Sequence, residues 1–263
     1  MARKPGILTR LRQGLLLYVL IMVALGAWLT RARTTDWNDP LWVNVYPIDA
    51  AGTVPVSDYL ERLEAGDFSA VEEYFVSQGS RYGMTLDVPL KIKLKGELGE
   101  QPPTPPESRN PVAIMFWSLK LRYWSWRMER SQDGPRGDIR LYVAYYDPDV
   151  TEQLAHSLGL QKGLIGVVNA FGTRRYTAQN NVVIAHELLH TLGATDKYDL
   201  QSTLPLHPHG YADPDRSPLQ PQNRAEIMGG RIPITSERAD MPVSLSQTVV
   251  GPMTASEIRW SRP

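Results

Sequence analysis

Hydrophobic and polar positions alternate most clearly between Pro89 and Leu98, where Leu90, Ile92 and Leu94 are set against Lys91, Lys93 and Lys95. That period of two predicts a half-buried strand with a solvated lysine face. Trp42-Val43-Asn44-Val45-Tyr46 alternates too and predicts a first strand within Trp37 to Ile48, its tryptophans in the core. Asp138 to Asp147 puts Ile139, Leu141, Val143 and Tyr145 on one face of another strand, and Gly163 to Phe171 is a fourth. Helical spacing appears in Ser57 to Gln78, broken near Gly66, with Ser69-Ala70-Val71-Glu72 as a capping box and Gly79 as the stop. Val112 to Arg130 reads as a helix packed into the core on several sides, although its Lys and Arg residues among Trp117, Trp124 and Trp126 also suit a membrane surface. Between these elements Gln101 to Pro111 is a proline-rich surface loop. A helix over Asn180 to Leu192, capped by Thr177, and a last short one opened by the box Thr254-Ala255-Ser256-Glu257 and including Trp260 complete the series. Strands and helices interleave without an internal repeat, which predicts an α+β fold with a mixed sheet packed against a helix.

The N-terminus has a different pattern. No charge occurs between Arg12 and Arg31, and nearly every residue from Leu15 to Leu29 is apolar. As a helix, such a stretch covers roughly 27 Å, enough to cross a bilayer core. Arg3, Lys4, Arg10 and Arg12 precede it and only Arg31 and Arg33 follow closely, so the positive-inside bias predicts a single-pass signal anchor in residues 1–33 with a cytoplasmic N-terminus. Residues 34–263 are then an exported domain, periplasmic or extracellular, which is secreted if the N-terminal segment is a cleaved signal.

Charge and composition narrow the chemistry. Lys and Arg total 28, as do Asp and Glu, so the broad positive field of a nucleic-acid binder is missing and no nucleic-acid partner is expected. With no cysteine in the chain, disulfides, thiolate metal clusters and cysteine nucleophiles are excluded, and any metal must be held by His, Asp or Glu.

One segment supplies such ligands. In His186-Glu187-Leu188-Leu189-His190 two histidines four residues apart stand on one helix face, so both imidazoles can reach one ion, with Glu187 beside them. Zinc favours imidazole and carboxylate ligands in a four-coordinate shell that, in a catalytic site, keeps one position for water. A carboxylate on the same helix can take the proton of that water and pass it to a leaving group. The run continues as His-Thr-Leu-Gly-Ala-Thr-Asp, in which Gly193 can take positive φ, end the helix and fold Asp196 back towards the ion.

These eleven residues resemble the signature of the metzincin-type zinc metallopeptidases, His-Glu-x-x-His-x-x-Gly-x-x-His followed by a Met-turn, with Asp196 at the last position as in the snapalysin-like variant. The resemblance covers about residues 138–260. It implies a zincin-like sheet on an active-site helix, Zn2+ held by His186, His190 and Asp196, Glu187 as general base and Met228 in Ile227-Met228-Gly229-Gly230 as the Met-turn. It also implies that an edge strand ahead of the helix, here Gly163 to Phe171, pairs with an extended peptide or protein substrate. The expected activity is that of a zinc-dependent endopeptidase, tied to the membrane through its N-terminal helix.

Other readings of the same residues stay open. Asp196 can cap a turn or pair with Lys197, and His207 or His209 can take its place on the metal. Tyr198 and Tyr211 can supply a hydroxyl to a developing oxyanion, Asp199 can orient one of the two histidines, and His156 reads as a surface residue. Zinc hydrolysis of a non-protein bond, as in a cell wall, and a non-catalytic membrane-tethered binding domain with a structural ion are the alternatives to peptide hydrolysis.

Overall fold

The structure is a computed structural model, and it describes residues 11–18, 20–22, 25, 35–106 and 110–260. Its framework is a five-stranded sheet of order β2-β1-β3-β5-β4, formed by β1 (Leu41–Asp49), β2 (Leu90–Leu94), β3 (Ile139–Tyr146), β4 (Leu158–Leu160) and β5 (Ile165–Phe171). All neighbours run parallel except the edge strand β4, which is antiparallel to β5 through the pairs Leu158–Val167 and Leu160–Ile165. The α+β class and mixed sheet expected from the sequence are therefore present.

Strand alternation divides the interior in two. Val43 and Val45 of β1, with Ile139, Leu141, Val143 and Tyr145 of β3, face a large core with α1 (Val54–Glu61), α2 (Ser69–Arg81), α4 (Thr177–Leu192) and α5 (Pro252–Glu257). Tyr46, Ile48, Tyr142 and Val167 point the other way, towards α3 (Pro111–Arg130), which contributes Leu121 and Trp124. Ile184, Leu188, Leu189 and Leu192 are fully buried on α4, each stabilising by about 1.5–3 kcal/mol. Packing of that size fixes the helix that carries the metal signature.

Local chemistry differs from expectation at several points. The capping box that starts the second half of the early helical region lies at Glu64 and Asp67, around a short 3-10 turn Ala65–Phe68, because Glu72 is turned away to accept a bond from the Ile92 N–H at 2.6 Å. Gly79 sits inside α2, which runs on to Arg81. Thr177 is the first residue of α4 rather than its cap, and Thr254 to Glu257 lie inside α5, where both side chains are used elsewhere. Trp37 packs at 5.7 Å on Trp260 in the core, while Trp42 carries the Lys93 ammonium 4.2 Å from its ring. The strand Ile165–Phe171 is an edge strand only in part: β4 covers Ile165–Val167 and forms the edge there, while among the described residues Val168–Phe171 pair with β3 alone.

The expected transmembrane helix is corrected. Residues 11–18, 20–22 and 25 are helical and exposed, but among the described residues no helix is long and apolar enough to cross a membrane. Spanning needs about 20 consecutive residues of apolar helix. Residues 19, 23–24 and 26–34 of that stretch lie outside the described residues, as do 107–109 of the proline-rich loop. The single-pass membrane placement that rested on this helix loses its support.

Candidate metal centre

Helix α4 delivers His186 and His190 to one side, their rings 4.7 Å apart. Gly193 ends the helix with φ of 110°, a conformation that strains any residue with a side chain, and its N–H bonds back to the His190 carbonyl. The reversal returns Asp196 to the histidines, with its Oδ1 3.3 Å from His186 Nε2 and 3.1 Å from His190 Nε2. One ligand atom from each of the three residues lies within 4.8 Å of the others, so the triad can hold a metal ion.

The tautomers follow from the neighbours. His186 Nδ1 is 2.9 Å from the Ile227 carbonyl and His190 Nδ1 is 2.8 Å from the Ala194 carbonyl. A carbonyl can only accept, so each Nδ1 carries a proton, and in the neutral ring each Nε2 presents a lone pair to Asp196. Three acceptor atoms this close repel one another unless a cation joins them, which is the property of a metal-binding set. A proton can play that part. Burial disfavours the His186 cation, but Asp196 and Glu187 outweigh it and the imidazole is pushed up to about 9. Asp196 is likewise opposed by its burial, yet hydrogen bonds from the two histidines hold its carboxyl well below the usual range.

Glu187 is buried beside them, and its Oε2 has no hydrogen-bond partner within the protein. Burial raises its carboxyl above the ordinary glutamate range, against the pull of both histidines. Such an oxygen needs a partner from outside the chain. Glu187 and His186 also line a cleft of about 410 Å³, walled by apolar groups such as Phe171, Val183 and Met241 and by Tyr198, His156 and Arg231.

Two carboxylates, the buried Glu226 and the partly exposed Glu257, brace this arrangement from behind. Glu226 accepts from the Gly229 N–H at 2.9 Å with one oxygen, and from the Gly251 N–H at 2.9 Å and the Thr254 hydroxyl at 2.7 Å with the other. It thereby joins α5 to the turn Ile227–Gly229, whose first carbonyl receives the His186 proton. From the end of α5, Glu257 accepts from the Thr195 N–H at 3.0 Å, the Thr195 hydroxyl at 2.6 Å and the Lys197 ammonium at 2.8 Å. Lys197 is buried, and its N–H donates to the Met228 carbonyl at 2.8 Å. Both neighbours of Asp196 are thus clamped.

The structure places the remaining candidates as follows. Met228 is fully buried in the turn 227–229, and Tyr198 lies in the cleft with its ring 6.5 Å from that of His186. Burial, then Asp196 and Glu187, push the Tyr198 hydroxyl up to about 12, so it stays protonated. Tyr211 packs on His207 and accepts from Gln220 at 2.9 Å, away from the lining of the cleft. Asp199 caps its own turn through Ser202 and does not support a histidine, since backbone carbonyls do that. His207 bonds the Pro214 carbonyl at 3.1 Å, and neither it nor His209 joins the triad. Lys197 pairs with Glu257, not with Asp196.

Arg231, Glu226 and Glu257 escape sequence reasoning, and His156, exposed as expected, also lines the cleft. His156 reaches the cleft because Asn169 of β5 donates its amide to the carbonyls of Ala155 at 3.1 Å and His156 at 3.2 Å, pinning that segment opposite α4. No spacing rule links such residues to the helix.

No family model and no curated protein matches the chain. Among solved structures it is similar to one described as "Structure of a chaperone-substrate complex", at 14% identity over 86% of this chain and 40% of that one, with a TM-score of 0.33. A likeness that low carries no argument about fold or activity.

Proposed function

We propose that the protein is a zinc-dependent endopeptidase. The observation that carries this reading is the unpartnered, buried Glu187 Oε2 beside a convergent His-His-Asp donor set, with Glu187 and His186 opening on one cleft. Imidazole nitrogen and carboxylate oxygen suit zinc, and the edges of a tetrahedron with bonds of about 2.0–2.1 Å are about 3.3 Å long. The two observed N–O separations, 3.1 and 3.3 Å, have that size. His186, His190 and Asp196 would hold the ion, and the backbone carbonyls behind both histidines keep their Nε2 lone pairs directed at it.

Zinc, when bound, supplies Lewis acidity that polarises a carbonyl and eases the deprotonation of water. Glu187 Oε2 accepts the proton of the attacking water and returns it to the leaving amine. The Tyr198 hydroxyl lines the same cleft and can donate to the carbonyl oxygen as it gains charge. An extended peptide can add to the outer edge of β4, and the apolar wall of Phe171, Val183 and Met241 accepts a side chain. The snapalysin-like resemblance of the signature supports the same assignment of roles.

Metal analysis by mass spectrometry, paired with cleavage of a mixed peptide set, tests the proposal. The parent protein should carry stoichiometric zinc and cut peptides. Glu187→Gln should keep the metal and lose about 10²–10⁴-fold in rate, whereas His186→Ala should lose both. Near-zero zinc after metal-replete expression, or a zinc-loaded Glu187→Gln protein cutting at the parent rate, would falsify the reading.

A further inference from the structure

Helix α3 has its apolar residues on the wrong side for a helix that only serves the core. Leu121 and Trp124 are buried against the sheet, yet Val112, Met115, Phe116, Leu119, Tyr123 and Trp126 are between 42% and 63% exposed. At about 100° per residue these six fall within an arc of about 100°, a continuous apolar stripe some 20 Å long facing outward. A stripe of large side chains like this marks an interaction surface.

The charges beside it identify the partner. On the same helical wheel Lys120 follows one border of the stripe, next to Arg127, which is paired with Glu100, and Arg122 follows the other, while the Arg130 guanidinium lies 4.4 Å from the ring of Trp126 at its end. The helix has one acidic residue, Glu129, turned inward and 3.6 Å from Arg140. Arg122 is held by the Lys162 carbonyl at 2.6 Å, so its cation is fixed near the border. Apolar centre, cationic borders and stacked Tyr123 and Trp126 match the layers of a lipid surface, from acyl chain to anionic headgroup. A second copy of the helix would bring like charges together on both borders. A lipid surface moulds itself to a convex ridge, whereas a protein partner must offer a complementary groove.

We propose that the outer face of α3 docks on an anionic lipid surface, with the helix lying in the plane of the headgroups and crossing nothing. The docking face is opposite the sheet face that packs on α4, so the cleft remains open to solvent when the helix is seated.

The chain has no cysteine, so one can be introduced and labelled at will. The full chain carrying Leu119→Cys with an environment-sensitive fluorophore is mixed with vesicles of phosphatidylcholine, with and without phosphatidylglycerol, and compared with Val54→Cys, exposed on α1 across the sheet. A blue shift and quenching by brominated lipid at residue 119, with anionic vesicles and not at residue 54, are expected. Lys120→Gln and Arg130→Gln should each weaken that binding about fivefold, and Phe116→Glu about tenfold or more. Vesicle binding without a change at residue 119 would show that lipid is held elsewhere and overturn the proposal. A shift that needs no lipid and grows with protein concentration would overturn it in favour of a second copy.

Discussion

At the level of single residues, the proposed third ligand is the part of the centre with the most to lose. His186 and His190 are held by a helix, but Asp196 depends on a bend, and Glu257 holds the residues on both sides of it. Burial works against the Glu257 charge, but Lys197 and Thr195 outweigh it and keep the carboxyl below its ordinary value of 4.5. A carboxyl depressed in the fold contributes stability above its unfolded pKa and loses it as pH falls through the folded value. The clamp is therefore intact at neutral pH and fails only on acidification below 4.5. Glu257→Gln should weaken zinc binding about 10–100-fold at neutral pH, in line with other residues that hold a ligand in place. Chelator competition on the folded variant measures this, and an unchanged affinity would remove Glu257 from the centre. Gly159 of β4 is a second test. A Cβ there would run into the Glu187 carbonyl and the His190 Cβ, so Gly159→Ala must displace α4 at its metal-bearing turn. A loss of about 1–3 kcal/mol in denaturant unfolding is expected, together with weaker metal binding.

Among elements, the C-terminal helix α5 has a larger part than its length suggests. It is 6 residues long, Pro252–Glu257, where the sequence reads as a short helix opened by Thr254 and including Trp260. In the fold it connects the two carboxylates that brace the centre, Glu226 at its start and Glu257 at its end. Glu226 is fully buried and satisfies three donors, so Glu226→Ala should leave the Gly229 and Gly251 N–H groups and the Thr254 hydroxyl without a partner. Each costs about 1–3 kcal/mol when orphaned, so a destabilisation of about 3 kcal/mol or more is expected. Urea unfolding gives the value, and a cost below about 1 kcal/mol would mean that water replaces the carboxylate. This also shows what was legible in the sequence. The strands β1, β2, β3 and β5 and the helix α4 follow a hydrophobic period set by neighbours in the chain, and the convergence of His186, His190 and Asp196 follows helix geometry and one glycine. Glu226, Glu257 and His156 act across separations that no local pattern records; Glu257 and Thr195 are 62 residues apart. The outward face of α3 was hidden for another reason: apolar residues all round a helix read alike whether a core or another surface covers them.

Over the whole molecule, the centre adds a tie between parts of the chain that already share one hydrophobic core. Helix α4 is rooted in the sheet, while Asp196 belongs to the loop-rich end that includes the turn 227–229 and α5. A metal bound by His186, His190 and Asp196 links these two regions, and the unfolded chain does not offer the three ligands together. Binding energy then becomes folding energy. With zinc at about 1,000 times its dissociation constant, the native state gains about 4 kcal/mol over the chelated protein. For a chain of this size each kcal/mol moves the midpoint by about 2–4 °C, so a shift on the order of 10 °C between chelator and zinc is expected in a thermal melt. Glu187→Gln should keep the whole shift, since it removes a proton acceptor and no ligand. Asp196→Ala should lose most of it and His186→Ala all of it. A shift of equal size in Asp196→Ala would place the third ligand elsewhere, and the bend after Gly193 would then need a different purpose.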